Sequence, residues 1–414
     1  MFEVRGILSR NQKKIKRLFS DFLYKTMAGI ISTGTQQLVV LPLLAKFFSA
    51  EMYGGILTIR GVYSAIYVGF GNSLANVRQI TYTDYSKKGV VGDYNLLAWI
   101  FAGISAVFLA IICSFVGNVE IFEMILLIPA VFIATLNAYY LVHYNLVLDF
   151  KNLLFNSVIS SGGAILGIFL VKYTMLWPLP LLLSGIFSLT NLFFTTPRIR
   201  EPFHKTGLMF KTLSKYAILL AVTLVAQSLL YLDRLIVYPI IGGEAVATYS
   251  TAAFFGKSVA VIISPLSSVL LGYYCQDTFK MSLKYFWGGN VIVLVLSALF
   301  MIISIVMAPW LTGLLFPSLI DMANPYIFIS NLAAILCFAG NVAQSAVLKF
   351  ANIFWQIVIQ VCYAAIYVIL GVLVMPKYGL WGFCYVVLFA NVVRLILLYT
   401  IGHYSIMLRG NIKS

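Results

Sequence analysis

The sequence predicts an all-α polytopic membrane protein: about 12 transmembrane helices in two parallel pseudo-repeated six-helix halves around a central cleft. Hydrophobic residues make up 61% of the 414 residues and charged residues 10%, more apolar surface than a soluble domain of this length can hide. Apolar runs of roughly 20 residues recur, each long enough to cross a hydrocarbon core about 30 Å thick as a helix. Two distant segments also resemble each other, which indicates an internal repeat.

Twelve apolar runs follow one another, and each is expected to be a helix because lipid leaves backbone polar groups no outside partner. The expected spans are 22–45, 55–80, 95–116, 121–147, 153–172, 178–196, 215–241, 246–273, 286–308, 323–347, 353–375 and 380–402. The longest polar stretch follows the sixth span. The predicted organisation is a basic cytoplasmic N-terminus (1–21), an N-terminal six-helix half (22–196), a cytoplasmic linker (197–214), a C-terminal six-helix half (215–402) and a cytoplasmic tail (403–414).

The repeat is visible in Leu148–Ser160 and Leu348–Gln360, where five positions coincide without a gap. A second pair of similar segments, Lys172–Trp177 and Lys377–Trp381, is separated by nearly the same number of residues as the first pair. Six spans per half is an even number, so both halves enter the membrane with the same orientation. The repeats are therefore expected to be parallel, related by an axis along the membrane normal, with a cleft where they face each other.

The net charge of +15 is distributed as a topology signal. If the N-terminus is cytoplasmic, 21 Lys and Arg residues fall on that side, and only Lys46, Lys172 and Lys377 fall on the other. Because Lys and Arg concentrate in cytoplasmic loops, both termini are predicted to be cytoplasmic. Membrane topology thereby explains the excess of Lys and Arg over Asp and Glu, and nucleic acid is not expected as a partner.

No motif for chemistry competes with a transport function. The five cysteines lie inside predicted spans without metal-ligand spacing, the three histidines are scattered, and there is no Gly-rich phosphate loop. No catalytic residue and no metal site is predicted, and no cofactor is expected.

Ionisable residues inside the spans are the first candidates for function, since a charge at mid-bilayer costs a few kcal/mol and must face a cavity or a partner. Four cations remain there, Arg60, Arg234, Lys257 and Arg394, against one acid, Asp233. The cations predict a cationic cleft that binds a phosphate or pyrophosphate. Asp233 has apolar helical neighbours and is expected to pair across to Lys257 or Arg60, either as a structural salt bridge or as an ion-coupling switch.

Polar and aromatic side chains recur at helical spacing beside these charges. The predicted lining of the cleft is Gln37, Tyr67, Gln227, Tyr231 and Tyr238. Such stripes mark either helix–helix hydrogen bonding or a water-filled path, and the sequence leaves both open. Aromatic rings also offer platforms for sugars, so the expected cargo is anionic and amphipathic.

Three turns carry a family resemblance. Phe47-Phe-Ser-Ala-Glu-Met-Tyr-Gly54 resembles the Leu-Gly-Pro-Glu-x-Tyr-Gly turn of polysaccharide flippases, with Ser49-Ala50 in place of Gly-Pro. Ile240–Ser250 is similar to that family's Gly-x-Glu-Ala-Val-Gly-x-Tyr-Ser turn, with Ala247 in place of a common Gly, and Met375–Gly382 resembles its Pro-Lys-Tyr-Gly-x-x-Gly turn. Together with length and span count, these turns make the chain resemble the O-antigen (Wzx-type) flippases of the multidrug/oligosaccharidyl-lipid/polysaccharide exporter superfamily.

The resemblance implies a function. Such a flippase moves an undecaprenyl-pyrophosphate-linked oligosaccharide, the O-antigen repeat unit, from the cytoplasmic to the periplasmic leaflet of the bacterial inner membrane by alternating access. Arg60, Arg234 and Lys257 match the family's cationic cleft. Membrane lipids are implied partners, and a polysaccharide polymerase and a chain-length regulator are candidates. Coupling to protons or to sodium ions is left open.

Two other functions compete. A drug exporter of the same superfamily would be expected to carry acids in the cleft if its cargo is cationic, whereas the spans of this chain are net positive. A membrane polysaccharide polymerase would be expected to carry a large outer loop rich in Arg or His, and no outer loop of this chain is long enough.

Overall fold

The computed structural model describes residues 20–21, 23–91, 93–116, 119–258, 267, 270–271, 274 and 281–411. Helices dominate these residues, and none of them is in a β-strand. The predicted basic N-terminus, apart from residues 20 and 21, lies outside the described residues. Most of the predicted eighth span beyond residue 258 does so as well.

Twelve helices correspond to the twelve predicted spans. Those of the first half are α1 (Leu23–Phe47), α2 (50–88), α3 (Asp93–Val116), α4 (121–147), α5 (Phe150–Thr174) and α6 (Leu179–Thr195). Those of the second half are α7 (209–241), α8 (from Gly243), α9 (Leu283–Leu315), α10 (Ile320–Phe350), α11 (353–378) and α12 (380–411). Among the described residues, 8 helical segments have the length and apolar composition to cross a membrane, and the last of them contains both α11 and α12. The predicted helical membrane fold is confirmed.

Three helices are interrupted inside the predicted spans. In α1 a π-helical stretch, Thr35–Val40, directly precedes Pro42, because proline has no N–H to donate to the preceding turn and the helix widens there. In α2 the π-helical stretch is Val68–Asn72. In α7 the helix breaks at Tyr231, whose backbone (φ −110°, ψ 13°) separates Met209–Leu230 from Leu232–Ile241.

The repeated segments lie at equivalent places in the two halves. The first copy contains the turn between α4 and α5, where Asp149 caps the new helix through the backbone N–H of Asn152 (3.2 Å). The second contains the turn between α10 and α11, where the Asn352 side chain accepts from the N–H of Phe354 (3.0 Å). The helix of the second copy begins three residues later than the gapless alignment predicts, so the two copies match in topology with a small shift in register.

The second pair of similar segments contains the turns before the last helix of each half. Each turn is made by a residue with left-handed backbone, Met175 (φ 58°) between α5 and α6 and Gly379 (φ 55°) between α11 and α12. Glycine adopts this conformation at no steric cost, and the methionine shows that the first copy makes the same turn with a side chain present.

The chain forms two compact units. The first consists of Met1–Phe47 and Thr58–Leu232, the second of Phe48–Leu57 and Asp233–Ser414. The linker 197–214 therefore packs within the first unit together with the first part of α7, whereas the sequence predicted it as the connection between the halves. The core of the first unit is a large cluster that includes Leu97, Leu136, Tyr144 and Tyr216.

Candidate functional site

The ten residues proposed from the sequence divide equally between the two units. Arg60, Gln37, Tyr67, Gln227 and Tyr231 belong to the first; Asp233, Arg234, Tyr238, Lys257 and Arg394 belong to the second.

Arg60 is the cation of the first unit. It lies on α2, half-buried, and its Nη2 donates to Oε1 of Gln36 on α1 at 2.6 Å. Gln36 belongs to the π-helical stretch of α1, and its neighbour Gln37, the residue favoured from the sequence, is also half-buried. The hydrogen bond from Arg60 to Gln36 was not predicted from the sequence, which gave Gln37 as a lining residue of the cleft.

Aromatic residues of the first unit lie next to Arg60. Gly61 allows α2 to approach α7 closely, because a Cβ at this position would lie 3.2 Å from Cβ of Tyr231. Tyr67 packs against Tyr63 one turn away, with ring centroids 5.3 Å apart. Gln227 is half-buried one turn before Tyr231 on α7. Residues of α1, α2 and α7 thus lie close together around Arg60.

In the second unit, Asp233 is paired with Lys257. Asp233 Oδ2 accepts from the ammonium of Lys257, and the carboxylate side chain is 6% exposed while that of the lysine is 41% exposed. The lysine ammonium also lies 5.0 Å from the ring centroid of Tyr249. Of the two partners predicted for Asp233, the structure selects Lys257. One cation of the predicted set is thereby matched to the acid.

Arg234 of α7 contacts the backbone of α2. Its Nη1 donates to the backbone carbonyl of Leu57 at 3.2 Å. The neighbouring Tyr238 lies against Gly55, whose added Cβ would be 3.4 Å from the tyrosine hydroxyl. Both residues therefore contact the first turns of α2 within the second unit.

Two of the turns that carry the family resemblance meet in the structure. The carboxylate of Glu51 accepts from the backbone N–H groups of Gly243 (2.9 Å) and Glu244 (2.8 Å) at the start of α8. Negative charge is favourable at a helix N-terminus, where the N–H groups have no intrahelical partner. Gly54 and Gly243 bring the backbones together, since a Cβ on Gly54 would lie 1.8 Å from the carbonyl oxygen of Gly243. The motif residues Glu51, Gly54 and Gly243 thus form one helix-capping contact, which sequence reasoning had not linked.

Arg394 lies elsewhere in the second unit. It is on α12, only 5% exposed, and its guanidinium contacts side chains and backbone of α10. Its hydrogen bonds go to Cys337, Asn341 and Gln344 of α10.

A further ionic cluster, not predicted from the sequence, forms around Arg78, which is one of the 21 cations assigned above to the cytoplasmic side. Arg78 is 2% exposed and donates to Tyr139 and, at 2.6 Å, to Glu201, which also accepts from Arg198 at 2.7 Å. The feature of the sequence that could have indicated this cluster is Glu201, the one acid in the Pro-Arg-Ile-Arg-Glu-Pro segment of the linker.

The same linker is held by neutral and acidic groups of α3. The Asn95 amide donates to three linker carbonyls, and Asp93 accepts from the backbone N–H of Thr206 at 2.6 Å. At the nearby surface, the hydrogen bond from Lys211 to Asp84 (2.9 Å) lowers the pKa of the Asp84 carboxyl below its usual range. These contacts explain why the linker belongs to the first unit.

The described residues contain no group of three or more His, Cys, Asp or Glu side chains placed to hold a metal ion.

Comparison with known proteins identifies the fold. No protein-family model matches the chain, and no curated protein matches it. Among solved structures, a Vibrio cholerae MATE transporter, VcmN, is similar with a TM-score of 0.62 and 13% identity, covering 94% of this chain and 96% of that chain. The lipid II flippase MurJ in an inward closed conformation is similar with a TM-score of 0.60 and 15% identity, covering 93% of this chain and 86% of that chain.

An inward-facing multidrug resistance MATE family transporter of the MOP superfamily is also similar, with a TM-score of 0.53 and 16% identity, covering 95% of this chain and 96% of that chain. At these identities the likeness concerns the fold alone. The chain is therefore a multi-pass membrane protein with the fold that the MATE transporters share with a lipid flippase.

Proposed function

We propose that this protein is a lipid-linked oligosaccharide flippase of the bacterial inner membrane. Its cargo would be the O-antigen repeat unit carried on undecaprenyl pyrophosphate, moved from the cytoplasmic to the periplasmic leaflet by alternating access. The protein is a transporter in this proposal, not an enzyme, and both termini lie in the cytoplasm.

The observation that carries the proposal is the charge of the membrane-embedded side chains. The single acid of the predicted set, Asp233, is already paired with Lys257. Arg60 donates to the amide oxygen of Gln36, and Arg234 donates to the backbone carbonyl of Leu57. Guanidinium groups bind phosphate through directed N–H donors, and a diphosphate head group supplies the negative charge that these cations would attract.

The aromatic residues beside the cations support a sugar-bearing cargo. Tyr67 and Tyr231 lie near Arg60 in the first unit, and Tyr238 follows Arg234 on α7 in the second. Rings of this kind combine an apolar face with a hydroxyl that donates or accepts hydrogen bonds. The fold, which this chain shares with a lipid II flippase, is compatible with a lipid cargo.

A drug exporter is the alternative, because MATE transporters share the same fold. The charges predicted inside the spans, four cations against one acid, argue for an anionic cargo, and the acid, Asp233, is paired with Lys257. A polysaccharide polymerase and a chain-length regulator stay candidate partners, and protons or sodium ions stay candidate coupling ions with Asp233 as the residue to examine.

The test is complementation of a deletion strain. Wild type, Arg60→Gln, Arg234→Gln and Lys257→Gln are compared for surface polysaccharide and for lipid-linked oligosaccharide retained on the cytoplasmic leaflet, at equal membrane levels. Lys172→Gln, which removes a predicted outer-side cation, is the matched control. We expect the three embedded variants to reduce surface polysaccharide at least tenfold and the control to rescue fully.

Normal surface polysaccharide in the deletion strain, in a background without a second flippase, would contradict the proposal. If that strain instead became sensitive to cationic drugs and regained resistance with the wild-type chain, the exporter would be the better assignment.

A further inference from the structure

A buried cation in the second unit has only neutral partners. Arg394 Nη2 donates to Oδ1 of Asn341 at 2.8 Å and to Oε1 of Gln344 at 2.6 Å, both on α10. Its Nη1 lies 3.4 Å from the carbonyl of Cys337 and 3.7 Å from that residue's sulfur. The ring of Tyr363 on α11 faces the guanidinium at 5.5 Å. Every one of these groups is uncharged.

No carboxylate contacts Arg394 within the described part of the chain. Oxygen acceptors and a ring face stabilise a guanidinium, but they leave its full charge in a poorly solvated interior, which costs several kcal/mol. The embedded acid of this unit, Asp233, is engaged by Lys257. A mobile counter-ion would remove the imbalance.

The hydrogen-bond directions of the cluster favour an anion. Arg394 can only donate, so Gln344 must accept with Oε1 and present its amide N–H groups on the other side. Gln344 Nε2 accordingly donates to Oε1 of Gln356 at 3.1 Å. Gln356 then has only its own N–H groups left. Both hydrogen bonds of this series are donated in the same direction, from Arg394 on α12 to Gln344 on α10 and from Gln344 to Gln356 on α11.

Donors at both ends of this chain have no protein acceptor. Nε of Arg394 and Nε2 of Gln356 are both buried without a hydrogen-bond partner among the described residues, and the two side chains are 5% and 8% exposed. Buried donors without acceptors each cost about 1–3 kcal/mol. Asn341, at the other side of the guanidinium, is exposed, so the cluster has a polar residue at which an ion could enter.

We infer that the Arg394 cluster is a binding site for one small monovalent anion of the halide type. The charge to be balanced is a single positive one, and the burial of Arg394 and Gln356 excludes a sugar-bearing head group. This inference does not depend on the cargo site proposed above, which is argued from Arg60, Arg234 and Lys257.

The experiment is chloride binding to the purified full-length protein in detergent. Radiolabelled chloride is measured by equilibrium dialysis, and the midpoint of thermal unfolding is recorded as chloride replaces gluconate at constant ionic strength. We expect saturable binding of one chloride per chain and a midpoint that rises with chloride, because a ligand that binds only the folded state stabilises it by mass action.

Three variants separate the site from general salt effects. Arg394→Gln is expected to abolish saturable binding and the chloride dependence of the midpoint. Gln356→Leu keeps the arginine and removes the buried amide donor that has no acceptor, and it is expected to weaken chloride binding at least tenfold. This variant tests the site even if Arg394→Gln does not fold. Lys377→Gln removes an exposed cation and is expected to bind like wild type. The absence of saturable binding in wild type, or equal binding by Gln356→Leu and wild type, would overturn the inference.

Discussion

The ion pair between Asp233 and Lys257 makes an asymmetric prediction. Lys257→Met leaves the carboxylate, whose side chain is 6% exposed, buried without its partner, and breaking a buried pair in this way costs about 3–5 kcal/mol. Asp233→Asn leaves a lysine that is 41% exposed and that stays solvated, so we expect a loss of about 1 kcal/mol. The lysine variant should therefore be the less stable of the two.

The double variant decides whether the pair causes the difference. With both charges removed no uncompensated carboxylate is left, so Asp233→Asn with Lys257→Met should be more stable than Lys257→Met alone. The expected interaction energy is about 2–3 kcal/mol, in the range for residues in contact. The measurement is reversible denaturant unfolding in mixed micelles, followed by tryptophan fluorescence.

Lys377→Met, at an exposed position, is the control, with an expected change within about 0.5 kcal/mol. Equal losses from the two single variants, with a double variant that equals their sum, would refute the reasoning and leave the two charges energetically independent.

Two further contacts are testable by thermal unfolding in detergent. Glu51→Ala should cost about 1–3 kcal/mol through the loss of a charged helix cap, and Gly243→Ala should cost more, since its Cβ would lie 2.2 Å from the carbonyl of Glu51; unfolding of either at the wild-type temperature would contradict the cap. Glu201→Gln should cost about 3–5 kcal/mol because Arg78 loses its carboxylate in a buried site, and adding Arg78→Met should restore part of it. The exposed variant Arg200→Met should change nothing, and equal stability of Glu201→Gln and wild type would show that the linker is held by its other contacts.

Much of the fold could be predicted without the structure. Backbone groups in lipid must be paired inside their own segment, so apolar length alone predicts helices, and each of the twelve predicted spans contains helical residues in the part of the chain that the structure describes. The repeat was detectable because equivalent turns need equivalent residues. Gly379 makes the turn before α12 with a positive φ, and it lies in the segment Lys377–Trp381, which the sequence analysis identified as part of the repeat.

The sequence by itself also determined which residues carry charge into the membrane, because an ionisable residue in an apolar run is visible from its neighbours. It narrowed the partner of Asp233 to two cations on the ground that Arg234, its neighbour, points about 100° away on a helix. The choice of Lys257 over Arg60 needed the tertiary structure, since it depends on how α7 and α8 pack.

Only the tertiary structure decided which polar residues act together. Gln36, which carries no charge of its own, binds Arg60 from a π-helical turn of α1, and such a turn changes the helical phase that a regular 3.6-residue period predicts. Glu51 reaches the start of α8 across nearly two hundred residues of chain, and Arg394 joins α10 rather than the other cations. Contacts between side chains of different helices depend on how the helices pack and on how each is rotated about its axis. The hydropathy of an apolar membrane segment predicts neither.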